Sequence, residues 1–124
     1  MAPRLKCEKI IKDYMTTQGW QVARSTYYIP FSNRSKDMWE FSDLVAVDCT
    51  GVATGTLYIQ ATSIGNMSAR YKKMQDNPYI KNVLNAGNMV WVIGTERAKM
   101  PRKGCEYDGK HLYKFREITM ADLT

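Results

Sequence analysis

The sequence predicts an α/β domain in which a mixed β-sheet is flanked by helices. Apolar residues recur at helical spacing near the N-terminus and again after residue 66, whereas the short apolar or alternating runs between and after them are typical of strands. The connection between the predicted strands at 56–62 and 89–96 is long enough for a parallel crossover. An antiparallel hairpin precedes this connection, so we expect a mixed sheet with helices on its faces.

The first 41 residues predict a helix, a strand and a loop. Residues 4–18 have apolar positions at spacings near 3.6, and Gly19 fits the left-handed position just past a helix end. Residues 20–24 alternate like a strand. Residues 25–41 contain a proline and several turn formers, so they predict a long, partly exposed loop. Aromatic residues are interleaved with cations in this loop, and two interpretations are open. The loop is either a surface that stacks bases and binds phosphates, or a segment whose aromatic side chains fold back on the core.

The later elements begin with a hairpin, because two apolar runs flank a glycine-containing turn. Two helical stretches follow, and then a very apolar strand that is typical of a sheet centre. The predicted order is a strand at 44–47, a turn at 50–55, a strand at 56–62, helices at 66–75 and 79–87, a strand at 89–96, a basic loop at 97–110 and a last strand at 111–118.

Length and composition predict one soluble domain. The chain has 124 residues, of which 44% are apolar, enough for a modest single core over residues 1–124. No apolar stretch approaches the roughly 20 residues that span a bilayer, and charges lie where a signal peptide would be apolar. Three scattered cysteines, Cys7, Cys49 and Cys105, suit neither a disulfide framework nor a zinc site. We therefore expect buried or half-buried free thiols in a reducing cytoplasm.

The chain is basic, and its positive charges are clustered. A net charge of +6 and a pI near 9.3 favour an anionic partner, with nucleic acid first and a membrane surface second. A protein-binding factor whose charge is incidental is the alternative. The basic clusters comprise Arg34 and Lys36; Arg70, Lys72 and Lys73; and Arg97, Lys99, Arg102 and Lys103.

Polar residues with oxygen ligands lie at the ends of the predicted hairpin. Asp43 opens one strand, and the register could bring it beside Gln60, which shares a strand face with Thr62. Glu8 of the first helix could reach the same end. Two carboxylates and an amide oxygen are reasonable ligands for Mg²⁺, and such an ion activates water for attack on a phosphate. Asp43 could instead be a plain turn residue, and Asp48, an alternative metal ligand, is interpreted as a turn residue.

The order of these motifs resembles the PD-(D/E)xK nuclease superfamily. A helix with Glu8, the strand GWQVARS, a loop, SDLVAVD, a turn, LYIQATS and a basic helix are most similar to archaeal-type Holliday junction resolvases, over about residues 4–94. The resemblance implies a restriction-endonuclease-like fold and a Mg²⁺- or Mn²⁺-dependent endonuclease acting on branched or duplex DNA. It also implies a homodimer, because a four-way junction is two-fold symmetric. By the resemblance, Glu8, Asp43 and Gln60 hold the metal, and Arg24 is the strand arginine.

Two positions depart from the family pattern. Gln60 replaces the usual acid, although an amide carbonyl still ligates a metal. Thr62 replaces the lysine that in the family positions water and offsets phosphate charge. Either Arg70 and Lys73, three apart on one helix face, supply the missing cation while Thr62 orients water, or the domain has lost catalysis and is a DNA-binding or assembly module.

The expected site therefore has a catalytic part and a DNA-binding part. For Arg70 and Lys73 a phosphate contact or a solvated helix face is the other interpretation. The residues expected to bind phosphates are Arg24, Arg34, Lys36, Arg97, Lys99, Arg102 and Lys103.

Overall fold

The computed structural model describes residues 4–29 and 34–123, with eight strands and three α-helices in that part of the chain. The elements are α1 (Arg4–Thr17), β1 (Trp20–Arg24), β2 (Thr26–Ile29), β3 (Arg34–Asp37), β4 (Leu44–Asp48), β5 (Leu57–Ser63), α2 (Met67–Gln75), α3 (Ile80–Asn85), β6 (Met89–Arg97), β7 (Glu106–Tyr107) and β8 (His111–Ile118). A short 3₁₀ turn at Ile64–Asn66 precedes α2, and another at Met120–Leu123 is the last described element of the chain.

Six of the strands form one mixed sheet in the order β1-β4-β5-β6-β8-β7. β5 and β6 run parallel, whereas the neighbouring pairs are antiparallel. The chain passes from β5 to β6 through α2 and α3, which is the crossover that the sequence predicted. The prediction of a mixed sheet flanked by helices is confirmed at this level.

Helices cover both faces of the sheet, which explains the nearly continuous apolar character of β5 and β6. On one face, Ile11 and Met15 of α1 pack with Ile59 and Ala61 of β5. On the other face, Met74 of α2 joins α3 and residues of β6 in a second core. Alternate residues of a strand point to opposite faces, so a strand buried on both sides has few positions for polar side chains.

Residues 25–41 are not the long loop that the sequence predicted. β2 and β3 pair antiparallel, with Thr26 opposite Asp37, as a separate two-stranded sheet. The sequence TYYI is rich in β-branched and aromatic residues, and this strand preference outweighs the turn formers around it. Trp39 and Glu40 then take positive φ angles of 55° and 66° in the turn that leads to β4. The predicted turn residue Pro30 lies outside the described residues.

A close approach between β6 and the start of α2 requires a glycine. A Cβ atom added to Gly94 would lie 2.5 Å from Sδ of Met67 and 2.9 Å from Cα of Ile64. Gly94 also lies opposite Thr62 in the parallel pair of β5 and β6. The missing side chain thus lets α2 begin directly above β6, next to the strand that carries Gln60 and Thr62.

The three cysteines are free, and they differ in exposure. Cys7 is buried, Cys105 is half-buried and Cys49 is exposed, so the expectation of buried or half-buried thiols was wrong for Cys49. Burial raises the pKa of the Cys7 thiol, with the neighbouring Glu8 carboxylate adding to the effect. Within residues 4–29 and 34–123, no helix is long and apolar enough to cross a membrane.

Candidate active site and nucleic-acid interface

Asp43 and Gln60 are joined by a hydrogen bond. Leu44 pairs with Ile59 between β4 and β5, which places Asp43 next to Gln60 at the end of the ladder. The Gln60 side chain donates from Nε2 to Oδ2 of Asp43 over 2.6 Å, and both residues are buried. The prediction that the hairpin register brings these two side chains together is confirmed.

The same carboxylate also binds the backbone of β5. Oδ2 of Asp43 accepts the N–H of Ala61 at 2.9 Å, and the Asp43 side chain is fully buried. The paired stretch of β4 ends at Leu44, so the carboxylate provides the acceptor that a longer β4 would have offered to Ala61. Asp43 is therefore a structural residue at this strand end, whatever else it does.

Gln60 opens onto a cleft that also contains the two cations expected to replace the motif lysine. The cleft has a volume of about 260 Å³ and lies between α2, the β3–β4 connection and β5. Arg70 is half-buried and Lys73 is exposed there. The described residues that line it are Asp37, Glu40, Phe41, Gln60, Arg70, Lys73, Met74, Asp76, Asn77 and Pro78. Thr62, the residue at the lysine position, is buried and does not belong to this lining.

Glu8 lies with Arg24 and not with the cleft. Nε of Arg24 is 3.2 Å from Oε2 of Glu8, whose side chain is 5% exposed while that of Arg24 is 51% exposed. Arg24 is opposite Leu44, a member of the core beneath α1, so this ion pair lies on the α1 face of the sheet. Gln60 lines a cleft on the α2 face. The structure thus pairs the predicted metal ligand with the residue that the sequence assigned to phosphates.

The side-chain oxygens of Asp43 and Gln60 are of the chemical type that a hard cation prefers. Because Nε2 of Gln60 is directed at Asp43, its carbonyl oxygen is the ligand that the amide can offer. Mg²⁺ is usually held by one or two carboxylates and keeps several waters, which suits a site with so few protein ligands. Glu8 is paired with Arg24 through its Oε2 atom. Among the described residues, no group of three or more histidine, cysteine, aspartate or glutamate side chains could hold a metal.

Asp48 is a turn residue, as the sequence interpretation had it. Its carboxylate accepts the N–H of Thr50 at 2.8 Å and that of Ala53 at 2.9 Å. A hydrogen bond from the Thr50 hydroxyl, followed by these N–H groups, lowers the pKa of the Asp48 carboxyl. The carboxylate therefore closes the β4–β5 turn, at the opposite end of the hairpin from Asp43.

The predicted phosphate ligands of the basic loop begin with Arg97, the last residue of β6, and the others follow that strand. Because β5 and β6 run parallel, β5 ends at the same edge of the sheet. Arg102 forms an ion pair with Glu96. Lys36 of β3 is exposed, and its Nζ is 3.9 Å from Oε1 of Glu40. Arg34 opens β3, and its side chain lies outside the described part of the structure. The remaining members of the loop cluster are exposed: Arg97, Lys99 and Lys103.

Two surface features were missed by the sequence interpretation. Trp39 and Tyr79 are exposed with ring centroids 5.8 Å apart, and they come from the β3–β4 connection and the start of α3. A cationic groove lies between α2 and β8. The alternation of Lys114 and Arg116 in the last strand was the one available signal for this groove.

Comparison with known proteins finds no match: no protein-family model, no curated protein and no solved structure matches the chain.

Proposed function

We propose that the protein is a DNA-binding domain of restriction-endonuclease-like fold that cuts branched or duplex DNA with the help of Mg²⁺ or Mn²⁺. The observation that carries the proposal is the cleft in which Gln60, held by Asp43, faces Arg70 and Lys73. The order of helix, strand, hairpin and basic crossover helix also agrees with the fold that the sequence resemblance implies. A homodimer follows from the two-fold symmetry of a four-way junction.

The roles follow from the chemistry of each side chain. The Asp43 carboxylate and the Gln60 carbonyl would hold the cation, directly or through water, and the ion would supply an activated water and charge compensation on the phosphate. Arg70 and Lys73 bind the scissile phosphate and offset the charge that develops on it, which the motif lysine would otherwise do. Thr62 contributes a hydroxyl that orients water, and this requires an opening of its buried position.

A catalytically inactive DNA-binding or assembly module on the same fold is the second candidate. It is favoured by the engagement of both acids within the fold. Oδ2 of Asp43 accepts two N–H groups in a fully buried position, and Glu8 is paired with Arg24. In this alternative the carboxylates stabilise strand ends, and the surface cations bind the DNA backbone.

The experiment combines cleavage and binding on the same substrates. A labelled four-way junction and a matched duplex are incubated with wild type, Asp43→Asn and the Arg70→Ala/Lys73→Ala double variant, in Mg²⁺ and then in Mn²⁺. Asp48→Asn is the control, because it changes an aspartate at the far end of the same hairpin. Sedimentation of the free protein measures whether it is a dimer.

Metal-dependent cutting that is lost in the Asp43 and double variants, but retained by Asp48→Asn, supports the nuclease. Binding without cutting by all four proteins supports the inactive module. Absence of DNA binding by the wild type at low salt would overturn both and leave a membrane surface or another protein as the partner.

A further inference from the structure

A cationic groove runs between α2 and β8, on the same face of the sheet as the cleft but on the other side of α2. Its volume is about 350 Å³. The described residues that line it are Met67, Ser68, Tyr71, Lys72, Gln75, Lys114, Phe115 and Arg116. None of these cations belongs to the site described above.

The charge of this groove is of one sign. Lys72, Lys114 and Arg116 are exposed, and no carboxylate occurs among the described residues that line the groove. Asp122 borders the groove and forms an ion pair with Arg116, with Oδ1 3.9 Å from a terminal guanidinium nitrogen, so it offsets part of the charge of this arginine. By contrast, the cleft beside Gln60 has three acidic residues among its lining. The groove is therefore the stronger candidate for a polyanionic ligand.

The side chain of Arg116 is oriented by contacts within the protein itself. The guanidinium carbon of Arg116 lies over the ring of Tyr71, 3.8 Å from its centroid, so the cation is in contact with the face of the ring. The Tyr71 hydroxyl donates to Oδ1 of Asp122 over 2.6 Å, which ties the ring to the C-terminal 3₁₀ turn. An arginine held in this way loses less side-chain entropy when it binds, and its planar group matches the two oxygens of a phosphate.

α2 connects the groove with the cleft. Arg70 and Lys73 lie on the flank of the helix that faces the cleft, and Lys72 lies on the flank that faces β8. A helix is about 10 Å wide, and successive phosphates of one DNA strand are about 3.4 Å apart along the duplex axis. A duplex placed across α2 would therefore reach both sets of cations within a few base pairs.

We propose that the α2–β8 groove is a second DNA-backbone site, which holds the phosphates of the duplex next to the cleft. The inference rests on the proposed DNA-binding function and adds the place where the flanking duplex lies. The phosphate contacts are made by Lys72, Lys114 and Arg116, and they carry no sequence preference because phosphates are the same at every base pair.

The test is the salt dependence of duplex binding. Fluorescence anisotropy of a labelled duplex is measured over a salt series for wild type and for Lys72→Gln/Lys114→Gln/Arg116→Gln. The slope of log K against log salt is negative, and loss of three phosphate contacts should reduce its magnitude by about 2.7, at about 0.9 for each contact. The matched control is Lys6→Gln/Lys12→Gln/Lys110→Gln, which removes the same charge from α1 and the β7–β8 turn, away from the groove. Its slope should change little.

The two proposals fail in different ways. If wild type binds DNA but the groove variant retains its slope, or loses no more than the control, the groove proposal is overturned and DNA binding survives. If wild type binds phosphatidylserine vesicles and not DNA, both are overturned in favour of a membrane surface. Because Arg116 contacts the C-terminal turn, the double variant Lys72→Gln/Lys114→Gln, with an expected slope change of about 1.8, guards against a folding defect.

Discussion

Replacing Gly94 with alanine should destabilise the fold at the start of α2. The added Cβ would lie 2.5 Å from Sδ and 2.7 Å from Cγ of Met67, and 2.9 Å from the backbone Cα of Ile64. Favourable contacts between carbon atoms lie at about 3.5–4.0 Å, so both neighbours must move. Met67 can rotate within its core, but Ile64 can yield only by shifting the 3₁₀ turn. Overpacking of this kind costs about 1–3 kcal/mol.

The assay is urea unfolding together with a thermal melt. For a domain of this size, each kcal/mol lowers Tm by about 4 °C, so Gly94→Ala should melt about 4–12 °C below wild type with an unchanged urea m-value. Gly65→Ala is the matched control, because nothing lies within 4 Å of its added Cβ and its φ is not positive. Its stability should stay within about 0.5 kcal/mol of wild type. Equal stability of the two variants would refute the close approach of α2 to β6.

Two further predictions concern buried or capping carboxylates. Asp43→Ala removes the acceptor for the Gln60 amide and for the Ala61 N–H. The free energy of unfolding, measured in urea, should therefore fall by about 2–5 kcal/mol, and by less in Asp43→Asn. A loss below about 1 kcal/mol in Asp43→Ala would contradict this. A hydrogen bond from Tyr71 lowers the pKa of the Asp122 carboxyl, so its stabilisation is fully present above the unfolded pKa of about 3.9 and is lost as pH falls through the lower folded value. The Tm gap between wild type and Asp122→Asn should therefore shrink between pH 6 and pH 2, and a constant gap would count against the linkage.

Local patterns in the sequence were sufficient for most of the elements. Helical spacing predicted α1 to within a residue, and Gly19 has the predicted positive φ of 96° after it. The β2–β3 hairpin was missed because turn formers and strand formers are mixed within residues 25–41. These competing preferences are resolved by pairing between Thr26–Ile29 and Arg34–Asp37, which no local pattern reveals.

The candidate site was predicted only where it depends on one hairpin. Asp43 and Gln60 belong to adjacent strands, so alternation and register were enough to bring them together. Glu8 belongs to a helix whose rotation over the sheet was not known, and the structure pairs it with Arg24 on the α1 face. The sequence did not predict this ion pair, because the packing of α1 on the sheet sets which side chains Glu8 meets.

The sequence by itself determined the α/β class, the order of most elements and the positive charge, and it indicated that Asp43 could lie beside Gln60. Each of these follows from side-chain periodicity, composition or the pairing of neighbouring strands. Only the tertiary structure decided that Arg70 and Lys73 share a cleft with Gln60, and that Lys72 meets Lys114 and Arg116 across a groove. These groupings join elements far apart in the chain, and they depend on how α2 packs over the sheet, where Gly94 leaves room for it.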